Sequence, residues 1–208
     1  MTDTLTDLLQ ESRRRGFLGP GPVEEHLDHA RAFVVAAPGA PIRALDLGAG
    51  GGLPGLVLAA VVWPMTQWTF LDAQRKRTDF LLEAVAALGL DERVTVVTER
   101  AELIGRDPAH RQTYDLVVAR SFGPPAVSLE CAAPLLVPGG ALLASEPPRG
   151  DLAARWPDDG VAALGGRPAQ AIAVGTPPTV HLVRIVQDVP VGDRYPRRVG
   201  IPTKRPLF

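Results

Sequence analysis

The stretch from Asp46 to Gly55, DLGAGGGLPG, decides the fold. It follows the apolar run IRALDLG that begins at Ile42 and leads into LPGLVLAAVV, so a glycine-rich loop joins a strand to a helix. Gly48 and Gly50 allow a tight turn, Gly52 lets backbone approach a ligand, and Pro54 suits a first helical turn. Two ligand frames overlap in this loop. Gly50, Gly52 and Gly55 satisfy the G-x-G-x-x-G of dinucleotide sites, whereas Asp46, Gly48, Gly50 and Gly52 satisfy the D-x-G-x-G-x-G of S-adenosylmethionine sites. Asp46, two positions before the first glycine, favours the second frame: at the crevice mouth a carboxylate repels a pyrophosphate and attracts an ammonium and a sulfonium.

Outward from the loop, strand-like and helix-period runs alternate: QWTFLD, RTDFLLEAVAALG, RVTVV, YDLVVAR, VSLECAAPLLV and GGALLAS. That order predicts an α/β fold, a mostly parallel central sheet with helices on both faces. The helix over 73–88 is well marked, with Asp72 as its cap, Phe80, Leu81, Ala84, Val85 and Leu88 as its apolar stripe, and Gly89 at its C-terminal turn. Residues 1–40 read as a short helical N-terminal extension broken at GFLGPGP (16–22), and residues 41–208 as the main domain. Pro147 to Pro168 reads as irregular, AIAVG and TVHLVRIV as two strands, and RYPRRVGIPTKRPLF as an extended basic tail.

Of the 208 residues, 46% are hydrophobic and 22% charged, with a formal net charge of −1, which excludes a disordered chain and a global basic field. Charge is nevertheless clustered, at Arg13–Arg14–Arg15, at Arg75–Lys76–Arg77 and along the tail. The single Cys131 allows no internal disulfide, and MTDTLTDLLQ carries no basic-then-apolar leader, so a cytoplasmic protein is expected. The longest apolar stretch, Leu53 to Met65, is interrupted by Pro54, Gly55 and Pro64 and predicts no membrane span. His26, Asp28 and His29 lack further ligands and predict no metal site. Cys131 within LECAAPLL reads as a buried small hydrophobe, and no nucleophile elbow occurs. The chemistry is therefore expected from a cofactor, with no catalytic side chain of the protein's own.

Several strand ends offer cofactor contacts. Asp72 closes TFLD and can accept both ribose hydroxyls, a demand that a dinucleotide shares. Ala101 and Glu102 follow RVTVV, where backbone could frame an adenine edge. Arg120 ends YDLVVAR beside the switch point of an open sheet and suits cofactor or substrate, and Phe122 suits base stacking or core filling.

Together these pieces resemble the RsmG or GidB family, bacterial small-subunit (16S) ribosomal RNA guanine-N7 methyltransferases. The resemblance rests on LGPGPVEEHLDHA, DLGAGGGLPG, TFLDAQRKRTDFL, ERAE (99–102), VVARSF (117–122), PLLVPGGALLA and RRVGIPTKRPL. It implies a Rossmann-like class I methyltransferase fold, with S-adenosylmethionine touching Gly48, Leu53, Ala101, Glu102 and Arg120. It also implies in-line transfer to guanine N7 without a general base. Ribosomal RNA or the small subunit is the expected partner, held by Arg120, Phe122, Arg197, Arg198 and Lys204 with Arg75, Lys76 and Arg77, and a monomer is expected. One departure stands out: the family usually carries a lysine after its fifth strand, where this chain reads ASEPPRG and places Ser145 and Glu146. A carboxylate there favours a small-molecule acceptor as the alternative. A nicotinamide-dependent oxidoreductase and a non-catalytic ribosome-assembly module are the more distant alternatives.

Overall fold

The computed structural model describes residues 2–175 and 179–208. Two helices, α1 (Thr2–Arg14) and α2 (Val23–Ala36), precede β1 (Arg43–Leu47), α3 (Gly55–Val57), β2 (Gln67–Asp72), α4 (Arg75–Ala87), β3 (Val94–Thr98), α5 (Ala101–Ile104) and β4 (Tyr114–Ala119). Then come α6 (Pro125–Ala132), β5 (Leu136–Glu146), α7 (Leu152–Arg155), α8 (Asp158–Ala163), β6 (Gln170–Val174), β7 (Val180–Val186) and α9 (Ile201–Lys204). The seven strands form one sheet in the order β3-β2-β1-β4-β5-β7-β6. β1 to β5 pair in parallel, and β7 runs antiparallel to both β5 and β6. The expected α/β sheet is thus present, with its two last strands as an antiparallel edge.

Strand alternation divides the apolar residues between two cores. Ala44, Phe70, Leu116 and Leu143 face a core shared with α1, α2, α3 and α4. Leu45, Leu47, Leu71, Val117 and Leu142 face one shared with α5, α6, α8 and the C-terminal segment. With both faces covered, the central strands read as continuous apolar runs. The two N-terminal helices bury Leu5, Leu9, Phe33 and Ala36 in the first of these cores. α1 also seats the glycine loop: Ser12 Oγ donates to the Gly51 carbonyl at 2.9 Å, and a Cβ on Gly51 would collide with Ser12, Leu18 and Phe17.

Three local expectations need correction. The helix predicted over 73–88 begins at Arg75 with Gln74 as its cap residue; Asp72 is the last residue of β2, one of its oxygens accepting the Gly50 N–H and the other the Gln74 N–H at 2.8 Å. Within 147–168, α7 and α8 form where Asp151 accepts from the amides of Ala153 and Ala154 and where Asp158 and Asp159 occupy a first turn. The C-terminal residues are not an extended arm: they include α9 and are held against the domain by Arg111, Glu130 and Glu102.

Candidate functional site

The C-terminal ends of β1, β2, β3 and β4 open onto a cleft of about 300 Å³. Gly48, Asp72, Ala101, Glu102 and Phe122, all singled out in the sequence, line it together. Gly48 sits at φ +74°, where side chains other than glycine are strained. A Cβ there would lie 2.6 Å from the Phe122 ring, so the ring packs directly on bare backbone. Asp72 is 6% exposed. It accepts Gly50 N–H at 3.0 Å and Gln74 N–H at 2.8 Å, and Arg77 Nη1 stands 3.5 Å from it. These bonds fix its carboxylate at the cleft floor with lone pairs left to receive hydroxyls.

The remaining loop residues stand behind this surface. Gly50, Gly52 and Leu53 are buried and do not line the cleft. At Gly52 a Cβ would strike Leu56, so this glycine serves packing and a φ of +95° instead of ligand approach. Asp46 is likewise not at the crevice mouth, as its place in the sequence suggested, but fully buried beneath the loop. Its Oδ2 accepts Gly55 N–H at 2.8 Å, and its Oδ1 has no partner among the described residues. Burial pushes its carboxyl up to about 7, Asp72 adds to this, and the Gly55 N–H and Arg120 oppose it.

Arg120 leaves β4 just before Ser121, which takes φ +56° and turns the chain sharply. Its Nη2 donates to His26 Nδ1 at 2.8 Å, which leaves His26 Nε2 facing the Gly19 carbonyl at 3.3 Å. Its Nη1 is buried and unpartnered among the described residues. Arg120 therefore does not line the first cleft. It lines a larger hollow of about 700 Å³ with His26, His29, Glu146 and His181. Burial, together with the Arg120 charge and His26, lowers His29 to about 4, so its ring is neutral near pH 7. A third hollow between the two contains Phe122 and Ser145; it shares Ser121, Phe122 and Gly123 with the first and Glu146 with the second. The three make one track along the carboxyl edge of the sheet, where open α/β sheets bind ligands.

Two charges expected to face a ligand are engaged inside the protein. Glu146 accepts from Arg155 Nε at 2.6 Å and Trp156 Nε1 at 3.0 Å, so the carboxylate in the family's lysine position is neutralised locally. Arg197 is not free for phosphate: its backbone N–H and guanidinium all bond Glu130, which is fully buried on α6. By contrast Arg75, Lys76, Arg198 and Lys204 are exposed. Cys131 is buried, as expected, and burial pushes its thiol up, away from a reactive thiolate. Among the described residues no cluster of His, Cys, Asp and Glu suits a metal, and no helix is long and apolar enough to cross a membrane.

Sequence reasoning missed Gln74 and Thr203, which also line the first cleft, and Arg77, read from sequence as a phosphate contact, lines it with them. The legible signal was Glu130: a carboxylate inside an apolar helix requires a buried cation, and the arginine-rich tail supplies one.

The profile of the family described as rRNA small subunit methyltransferase G, GidB, matches residues 23–149. A Ribosomal RNA small subunit methyltransferase G of Roseiflexus castenholzii is 40% identical over 170 residues, 81% of this chain and 72% of the relative. One from Deinococcus deserti is 38% identical over 171 residues, 80% of this chain and 68% of the relative. Among solved structures, an O-methyltransferase from Bacillus cereus in complex with SAH superposes with a TM-score of 0.61 at 16% identity, covering 88% of this chain and 90% of the other, a likeness of fold. The cleft, the glycine loop and these relatives agree, and the chain belongs to the rRNA small subunit methyltransferase G (GidB) family of S-adenosylmethionine-dependent methyltransferases.

Proposed function

We propose that this methyltransferase modifies N7 of a guanine in small-subunit ribosomal RNA. The relatives' names support the RNA class, and the observation that carries the reading is the cleft's cationic rim. Arg75 and Lys76 are exposed beside the lining residues Gln74 and Arg77, and Lys204 is exposed beside the lining residue Thr203. A protein of net charge −1 thus carries exposed cations next to lining residues from two separate segments of the chain, charge clustering of the kind that phosphate positioning requires.

The residues of the first cleft fit S-adenosylmethionine: the loop backbone at Gly48, a fixed carboxylate at Asp72 for the ribose, and Ala101 and Glu102 for the adenine edge. Buried Asp46, with one oxygen lacking a donor, adds a nearby group that a cationic ligand favours in its charged form. When bound, this cofactor supplies an electrophilic methyl group. Phe122 and Arg120 then wall the adjoining hollows, Arg120 held in place by His26, and orient the acceptor base. Guanine N7 already presents a lone pair, so no proton need be removed before attack, and the work of the protein is alignment and exclusion of water. The motive for a small-molecule acceptor weakens because Glu146 is tied to Arg155 and Trp156.

The test is tritiated methyl transfer to small subunits from a strain deleted for this gene, followed by borohydride reduction and aniline cleavage at N7-methylguanine. Label that releases on cleavage, falls with rising salt and is lost with Asp72→Ala is expected. Label resistant to cleavage would exclude N7, and no label on subunits or free RNA would exclude the RNA reading.

A further inference from the structure

The C-terminal residues are pinned by a series of contacts that the proposed reaction does not call for. Arg111 donates to the carbonyls of Tyr195 at 2.8 Å, Val191 at 3.0 Å and Gly105 at 3.0 Å. Pro196 lies on Gly105, where a Cβ would come within 2.9 Å of the ring. Arg197 grips Glu130 through its backbone N–H at 2.8 Å and through Nη2 at 2.6 Å. Gly200 N–H donates to Glu102 Oε1 at 2.8 Å. Beyond α9, the Phe208 ring covers Gly160, leaving no room there for a Cβ.

Between the Gly200 and Phe208 anchors stands Thr203, an exposed residue that lines the cleft with Gly48, Asp72 and Ala101. Glu102 has a double duty: it lines the cleft and it carries the segment. Although burial opposes ionisation, the Gly200 N–H and Arg100 hold its carboxyl below the usual range, so the anchor stays charged near neutral pH. The Arg197 fork binds both oxygens of a fully buried carboxylate, Nε to Oε1 and Nη2 to Oε2, a geometry that lysine does not reproduce.

We infer that residues 195–204 form the outer wall of the cofactor cleft, with Thr203 contacting the adenosine portion of the bound cofactor. Glu130–Arg197 and Glu102–Gly200 act as positioning contacts for that wall. The inference rests on the assignment of this cleft to S-adenosylmethionine. It gives the buried Glu130 and Arg197 one shared purpose, in place of RNA contact by Arg197.

Isothermal titration with S-adenosylhomocysteine tests it. Thr203 is exposed, so Thr203→Trp should keep the unliganded melting temperature while weakening binding about tenfold or more, and Thr203→Ser should bind within about twofold of the natural protein. In Arg197→Lys, the ligand should no longer slow hydrogen exchange of the 200–204 amides as it does in the natural protein. Wild-type affinity in Thr203→Trp, with ligand-independent exchange at 200–204, would refute the wall. Asp72→Ala separates the two layers: if it abolishes binding while Thr203→Trp does not, only the wall falls; if both bind normally, the assignment of the cleft falls with it.

Discussion

The glycine loop and the C-terminal segment bound the same cleft and are built by opposite means. The loop is made of backbone: Gly48, Gly50 and Gly52 take positive φ, and its amides are held by Asp72 and Asp46 within a short span of chain. The C-terminal segment is made of side-chain grips across long separations, Arg197 to Glu130 over 67 residues and Gly200 to Glu102 over 98. A wall of backbone fails by strain when a side chain is added. A wall of paired charges fails by leaving a buried ion alone, which costs more.

The largest effect should therefore come from the tail. Arg197→Ala strands Glu130, which has no exposure, and is expected to lower stability by about 3–5 kcal/mol in urea denaturation. Gly48→Ala, which forces a Cβ onto φ +74° and into Phe122, is expected to cost about 1–3 kcal/mol and to weaken cofactor binding. Adding Phe122→Ala should recover the steric part and leave the strain. If Gly48→Ala proves the more damaging of the two single changes, the contrast between backbone and charge walls is wrong.

The same contrast explains what could be read from the sequence. Loop, strands and helices follow from local signals: glycine spacing, period-2 and period-3.6 apolar runs, and Gly89 at φ +63° closing α4. Asp72, Ala101 and Glu102 were legible because strand ends of an open sheet converge on one crevice. What could not be read is which charge meets which. Arg197 and Arg198 are adjacent in sequence, yet one is folded onto Glu130 and the other is exposed. Asp46 and Asp72 lie near the ends of neighbouring strands, yet Asp46 pairs with Phe70, two residues short of Asp72, so one lies under the loop and the other on the cleft floor. Glu146, which on sequence opposed an RNA partner, turns to Arg155 on a helix that the Gly- and Pro-rich composition concealed.

Asp46 sharpens the loop side of the comparison. Its folded carboxyl titrates at about 7, against an ordinary value of 3.8. Between these values the folded protein holds a proton that the unfolded chain has released, so stability falls as pH rises from about 4 to about 7. Asp46→Asn should flatten that slope while keeping the acceptor for Gly55 N–H. A cationic ligand favours the charged carboxylate, so cofactor binding near pH 6.5 should release a proton, detected by titration in two buffers of different ionisation enthalpy. Affinity should rise with pH by at most about tenfold per unit up to pH 7 and level off above it, and Asp46→Asn should remove the dependence.

The smallest effect on the fold belongs to the exposed cations of the tail. Arg198→Ala with Lys204→Ala should leave stability within about 0.5 kcal/mol, since both side chains lie on the surface. Its signature is electrostatic: every phosphate left without its cation should flatten the slope of log affinity against log salt, by about 0.9 on a duplex or about 0.7 on a single strand. Two adjacent arginines then give opposite readouts, Arg197 in the denaturation midpoint and Arg198 in the salt slope. An unchanged slope in the double variant would move the RNA contacts to Arg75 and Lys76 at the start of α4, because the tail would then supply the cleft's wall and none of its grip on phosphate.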